Sequence, residues 1–180
     1  MGTVFLRRLS RWQAETERED VGDLFTDALR DEPGVRAPDR EAFIRWFVDH
    51  DVQQDGFDMI VAGGPALVGC AYGFRAERGG RWWESFTEGQ DGLPAVAAAR
   101  QVFVVTGPVV AKGRRRREIG TRLHRELLSR NGTLPQLALL QPGNAPARAA
   151  FQSWGWGKAG QLTPRDADGT PVEAWTRLPA

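Results

Sequence analysis

The 180-residue chain is short of most groups that point to metal or thiol chemistry. It has one cysteine, Cys70, two histidines, His50 and His124, and one tyrosine. A single cysteine excludes an internal disulfide framework and fits a reducing compartment. No metal site is expected. No apolar run approaches the roughly 18 residues of a membrane span. The first residues, "MGTVFLRRLSRW", turn charged too soon for a signal pattern. These absences predict a soluble, cytoplasmic protein without a membrane partner. Lysine is scarce too, at Lys112 and Lys158 alone, so arginine carries nearly all the positive charge and no single arginine is informative by identity. The formal net charge of +1 argues against a polyanion binder as a whole, and nucleic acid is not an expected partner. The length suits one domain spanning residues 1–180.

The hydrophobic pattern gives an interleaved order of strands and helices. "TVFLRRL" (Thr3 to Leu9) reads as a strand, and Trp12 to Arg30 as one helix with Val21, Leu24, Phe25 and Ala28 on a face. Asp39 can cap a second helix carrying Ala42, Phe43, Trp46 and Phe47. Phe57 to Ala62 and Ala66 to Phe74 read as strands around a Gly-Gly-Pro turn. Residues Arg75 to Arg100 show no clean period. A strongly apolar strand, "QVFVVTGPVV", leads into "KGRRRREIG" and a helix near Gly120 to Arg130. "PQLALLQ" predicts a short buried strand, a further helix starts near Pro146, and "KAGQL" and "VEAWTRL" pair as a hairpin. One α/β (α+β) domain follows.

The arginine run stands between an apolar strand and the first turn of a helix. The first four N–H groups of a helix have no intrahelical partner, and the helix dipole is positive there. An anion such as a pyrophosphate fits that position, and arginines suit phosphate oxygens. A solvated basic turn is the simpler alternative.

"RRRREIG" taken together with "NAPARAAFQSWGW" resembles the signature of the GNAT superfamily of N-acetyltransferases. The first matches a Q/R-x-x-G-x-G/A loop and the second an N-x-x-A-x-x-x-Y-x-x-x-G-F pattern, through Asn144, Ala147, Phe151, Gly155 and Trp156. The resemblance implies a single mixed sheet of about six or seven strands, mostly antiparallel, with helices on both faces and a splayed centre. It implies acetyl-CoA as acyl donor. Main-chain amides over Arg115, Arg116, Arg117, Glu118, Ile119, Gly120 and Thr121 would hold the pyrophosphate. Val109 and Val110 would pair with the pantetheine arm, and Asn144 and Phe151 would complete the coenzyme contacts. Glu118 departs from the family, standing where the middle glycine is expected, and adds a negative charge beside a pyrophosphate.

The catalytic groups are harder to name. Phe151 occupies the position of the family's proton-donating tyrosine and has no proton to give. Ser153 is a weak substitute. The fourth-strand glutamate that often serves as base has no counterpart in Gln101 to Val110. Glu84 and Glu88 are the remaining candidate carboxylates. His124 and His50 read as packing or surface residues. Trp82 and Trp83, adjacent in the aperiodic segment, are candidates for an acceptor wall, or they fill a hydrophobic gap. The segment from Arg75 to Arg100 is expected to form a flap over the acceptor. The reading is an acetyl-CoA-dependent N-acetyltransferase acting on a primary amine of a small molecule or peptide, with a homodimer compatible. The rivals are a catalytically impaired acyl-CoA-binding accessory protein and a toxin-like acetyltransferase acting on charged tRNA.

Overall fold

The computed structural model describes residues 4–89, 92–93, 98–114, 118–165 and 170–179. Its strands form one mixed, mostly antiparallel sheet of eight. The chain divides into two compact units, Met1–Phe74 with Thr106–Arg130, and Arg75–Val105 with Asn131–Ala180.

In the first unit, β1 (Leu6–Leu9) pairs antiparallel with β2 (Asp58–Gly63), and β2 with the first part of β3 (Leu67–Glu77). The single helix expected over Trp12 to Arg30 is two, α1 (Arg11–Thr16) and α2 (Arg18–Leu29). Ser10 caps α1 through a reciprocal box with Gln13. The Thr16 hydroxyl donates back to the Trp12 carbonyl, which competes with the helix ladder. Glu17 leaves helical geometry at the break and accepts two hydrogen bonds from Arg7, at 2.8 and 2.9 Å. Helix α3 (Arg40–Asp49) starts at Asp39, whose carboxylate accepts the Ala42 N–H. The faces of α2 and α3 meet through Phe25 stacked on Phe43 at 4.6 Å, and Phe47 lies edge-on to Tyr72 of β3 at 5.1 Å. Met59, Val61 and Cys70 close this core from the sheet. The unit also holds the last part of β5 (Gln101–Val110) and helix α5 (Ile119–Ser129).

In the second unit, the first part of β5 runs parallel to β6 (Gln136–Leu140), from Phe103↔Gln136 to Val105↔Ala138. β6 then pairs antiparallel with β8 (Val172–Arg177), and β8 with β7 (Gly157–Pro164). The expected final hairpin is therefore present, while its turn residues 166–169 lie outside the described residues. The segment from Arg75 to Arg100 is not simply a loop. β3 extends into it as far as Glu77, and it contains α4 (Arg81–Glu84) and β4 (Phe86–Glu88), which pairs with β7. β4 is the strand beyond the six or seven expected. Three residues are too few to show a two-residue period in sequence. Helix α6 (Ala145–Ser153) begins at Asn144 with a proline in its first turn, as its sequence predicts.

Among the described residues no helix is long and apolar enough to cross a membrane, and no group of three or more His, Cys, Asp or Glu is placed to hold a metal ion.

One buried charge fixes a pH dependence in the second unit. Glu173 of β8 is 3% exposed. Its carboxylate accepts the Trp175 indole N–H at 3.1 Å and pairs with Lys158 and Arg148, each at 3.2 Å. Burial alone would raise its pKa. The Trp175 and Lys158 hydrogen bonds and the two cations outweigh that and hold it below the ordinary value of 4.5. A carboxylate with a depressed folded-state pKa contributes stability that is present above its unfolded value and lost as pH falls through its folded one. Glu173→Gln should therefore lower stability at neutral pH and flatten the acid limb, read as thermal midpoints over about pH 3 to 7.

Candidate anion-binding site

The end of β5 differs from its beginning. Val102 to Val105 are buried, and Thr106 to Val110 are each half-buried. Gly107 has φ +85° and precedes Pro108 through a cis peptide bond. A Cβ at Gly107 would meet the Cys70 carbonyl at 3.0 Å and the Val109 nitrogen at 3.1 Å, so a side chain is excluded there. The strand ends as the Ala111 N–H donates to the Val68 carbonyl at 2.8 Å. A short 3₁₀ turn, Lys112–Arg114, follows, closed by Arg114 N–H to Ala111 O at 2.8 Å.

Helix α5 then begins at Glu118. The backbone of Glu118 is left-handed, φ +59° and ψ +12°, and its side chain makes no capping hydrogen bond. Among the described residues the first intrahelical bond runs from Arg122 N–H to Glu118 O at 2.9 Å. The N–H groups of Ile119 and Gly120 lie in the first turn before it, where a helix supplies no acceptor. The Ile119 side chain is buried and faces β3. A Cβ on Gly69 would meet Leu123 Cδ1 at 3.0 Å, Ile119 Cγ2 at 3.2 Å and the Val109 carbonyl at 3.2 Å. Ile119 can thus offer a ligand only its main chain. Val109 turns its carbonyl toward β3, and strand alternation turns the Val110 backbone groups to the other edge.

The geometry brings Val109, Val110, Glu118, Ile119, Gly120 and Thr121 into one strand–turn–helix in the first unit. Arg115, Arg116 and Arg117 lie outside the described residues. Lys112, at the start of the basic run, donates its ammonium to the Arg30 carbonyl at the end of α2. His124 is buried in α5 and packs, as its sequence position suggests. The Cys70 thiol is fully buried and its pKa is pushed up by desolvation, so it is not a nucleophile.

The other expected site residues belong to the second unit. Asn144 caps α6, its Oδ1 accepting the Ala147 N–H at 3.2 Å. Phe151 is buried and lies edge-on to Trp154 at 5.4 Å and Trp156 at 4.9 Å. Ser153 is exposed and donates to the Ala150 carbonyl at 2.6 Å. Glu84 is exposed, and Glu88 lies in β4. Trp82 and Trp83 sit on a helical turn rather than an extended segment, with ring centres 6.1 Å apart. Trp82 is buried edge-on against Phe86 at 5.0 Å, and Trp83 is half-buried.

A polar cluster in the first unit is not legible from sequence motifs. The carboxylate of Asp51, 7% exposed, accepts the Tyr72 hydroxyl at 2.6 Å, and its other oxygen lies 2.8 Å from His50 Nδ1. The Thr106 side chain of β5 faces the same hydroxyl and works against the rise in its pKa. The pair His50-Asp51 at a helix end is the one sequence hint, and nothing in the sequence ties it to Tyr72.

No protein-family model matches the chain, and no curated protein matches it. Solved structures do match over nearly its whole length. An acetyltransferase from Corynebacterium glutamicum related to histone acetyltransferase HPA2 is 18% identical, with TM-score 0.63, covering 99% of this chain and 98% of the other. A GNAT superfamily phosphinothricin acetyltransferase from Sinorhizobium meliloti, in complex with acetyl-CoA, is 15% identical, with TM-score 0.60 and coverage of 99% and 90%. Arabidopsis thaliana NAA60, also in complex with acetyl-CoA, is 12% identical, with TM-score 0.60 and coverage of 97% and 98%. The fold is that of the GNAT acetyltransferases.

The left-handed backbone explains the one mismatch in the loop pattern. The position that the family fills with glycine has a positive φ here and carries glutamate. A side chain in that region costs roughly 1 kcal/mol. Glu118→Gly should raise stability by up to about that amount, seen as a higher urea midpoint with an unchanged slope.

Proposed function

We propose that the chain is an acetyl-CoA-dependent N-acetyltransferase that acts on a primary amine of a small molecule or peptide. The observation that carries this reading is the start of α5. The first-turn N–H groups of Ile119 and Gly120 open a helix that follows the basic run in sequence, after a half-buried strand end at Val110. Oriented N–H donors at the positive end of an eleven-residue helix suit a pyrophosphate. The likeness to structures solved with acetyl-CoA supports the choice of ligand. The Glu118 carboxylate is the feature that fits least.

When bound, the coenzyme supplies an acetyl thioester. The chain holds it through main-chain N–H groups at the start of α5, those of Ile119 and Gly120 first. Val110, with its backbone groups turned from β3, aligns the pantetheine arm. Asn144 keeps its amide NH₂ without a hydrogen bond to the described residues, and the family resemblance assigns that group to the same arm. Phe151 offers no proton, and Ser153 spends its hydroxyl on a helix carbonyl. The departing thiolate therefore leaves without a dedicated acid, which a thiol pKa near about 8.5 permits. Trp83, half-buried beside Trp82, is the acceptor-wall candidate. Loss of catalysis with retained coenzyme binding is a second reading, favoured by the burial of Phe151 and by the absence of a carboxylate on β5.

Calorimetric titration with acetyl-CoA, followed by thiol-release assays over a panel of primary amines, tests both readings. Gly120→Val should abolish binding while unfolding stays cooperative, because a branched side chain obstructs the approach of phosphate. Arg114→Ala should weaken binding by about 1 kcal/mol, the scale of a partly exposed ion pair, and by less in high salt. Glu118→Gly should leave affinity unchanged or improve it. Unchanged affinity in Gly120→Val together with weaker binding in Glu118→Gly would remove the loop from the coenzyme site. Binding without turnover would favour the accessory reading.

A further inference from the structure

We propose that the second unit carries a binding site for a phosphate monoester, formed by Arg148 of α6 and Lys158 of β7 over the buried carboxylate of Glu173. The site shares no residue with the start of α5, and it does not depend on the acetyltransferase reading.

Glu173 holds together two cations that would otherwise repel each other. One of its oxygens lies 3.2 Å from Arg148 Nε and also accepts the Trp175 indole N–H at 3.1 Å, and the other lies 3.2 Å from Lys158 Nζ. Both cations therefore stand on the two oxygens of a single group, close enough for one oxyanion to meet both. Glu173 is 3% exposed and ionised at neutral pH. Two positive charges face its one negative charge, so the cluster is left positive.

Neither cation is exhausted by this contact. Arg148 approaches Glu173 through Nε, a buried atom that makes an ion pair without an aligned hydrogen bond. Neither of its Nη groups has a hydrogen-bond partner among the described residues, and these form the fork that suits phosphate oxygens. Lys158 meets Glu173 alone among those residues, and an ammonium carries three donors. The two side chains are 42% and 40% exposed, so the donors left over reach solvent.

The surroundings add no competing charge. No Asp or Glu stands in the sequence between Glu126 and Asp166, the stretch that contains α6 and β7. Gln161, exposed and opposite Glu173 in the β7–β8 register, adds a neutral amide on the same face. Nothing lies within 4 Å of where a Cβ on Gly157 would stand, so the flank of Lys158 is open. One cation is enough to neutralise a buried carboxylate. A second, this exposed, adds little stability to the fold, and it suits a charge that arrives from solvent. A phosphate monoester brings about −1.5 to −2 charge near pH 7 and three acceptor oxygens, enough for the fork and the ammonium together. Such a group has two sources, a separate phosphorylated small molecule and the ribose 3′-phosphate of coenzyme A.

Titration of phenyl phosphate into the ¹⁵N-labelled chain, at constant ionic strength and neutral pH, tests the site residue by residue. Saturable shifts are expected at the Arg148 Nε–H and at the Arg148, Lys158 and Gln161 amides. They should persist in Gly120→Val, which blocks the start of α5. Methyl phenyl phosphate, a diester with one charge, should bind about 10-fold more weakly, and so should phenyl phosphate in Arg148→Gln and in Lys158→Gln. Both variants unpair Glu173, so their thermal midpoints are measured alongside, and Lys158→Arg should retain binding. The wild-type titration decides the matter even where a variant fails to fold. Displacement of phenyl phosphate by coenzyme A but not by dephospho-coenzyme A assigns the site to the coenzyme, and retention beside bound coenzyme A assigns it to a separate ligand. The proposal is overturned by a wild type without saturable shifts at Arg148 and Lys158, by equal affinity for monoester and diester, or by full affinity in a folded Lys158→Gln. The three side chains would then be a structural ion cluster only. A chain that binds phenyl phosphate here but no acetyl-CoA would remove the acetyltransferase reading and keep this site.

Discussion

The close approach of α5 to β3 at Gly69 is the constraint on which the strand-to-helix junction of the first unit depends. Leu123, Ile119 and the Val109 carbonyl all reach to within 3.0–3.2 Å of where a Cβ would stand. Helix, strand end and β3 therefore meet at one point where a Cβ would fit only if its neighbours gave way by a few tenths of an ångström. A larger group would have to displace the helix start or the end of β5. The buried Ile119 and Leu123 side chains fix the start of α5 against β3, directly after the left-handed Glu118.

The charges of the first unit are largely spent on tying segments together. Lys112 holds the last carbonyl of the α2 region, Arg122 donates to Val4 O at 2.9 Å, and Arg8 reaches both Asp58 and the Glu126 carbonyl. Arg40 gathers Glu19, Asp23 and Glu41. A chain of net charge +1 thus uses arginine as a forked structural donor.

The buried polar cluster follows the same economy. Asp51 is enclosed by an aromatic core in which Phe47 and Phe57 pack on Tyr72. Such surroundings tolerate a carboxylate only when both oxygens are engaged, which orders the Tyr72 hydroxyl and the His50 ring together. A group that sequence reading assigns to helix packing gains an orientation from this enclosure.

Long, strongly patterned elements were determined by the sequence alone. The apolar run over Gln101–Val110, the amphipathic helix after the arginines and the helix starting near Pro146 depend on local periodicity and start signals, which nearby residues specify. The loop motif was legible too, including Glu118 as the residue out of place. That Glu118 has a positive φ, that Thr16 and Glu17 interrupt a helix, and that Trp82 turns into the core were decided by tertiary structure. So was the meeting of Asp51 with Tyr72, 21 residues apart. Such a contact depends on how α3 lies across the sheet, and that placement is a sum of many packing contacts that no short stretch of sequence encodes.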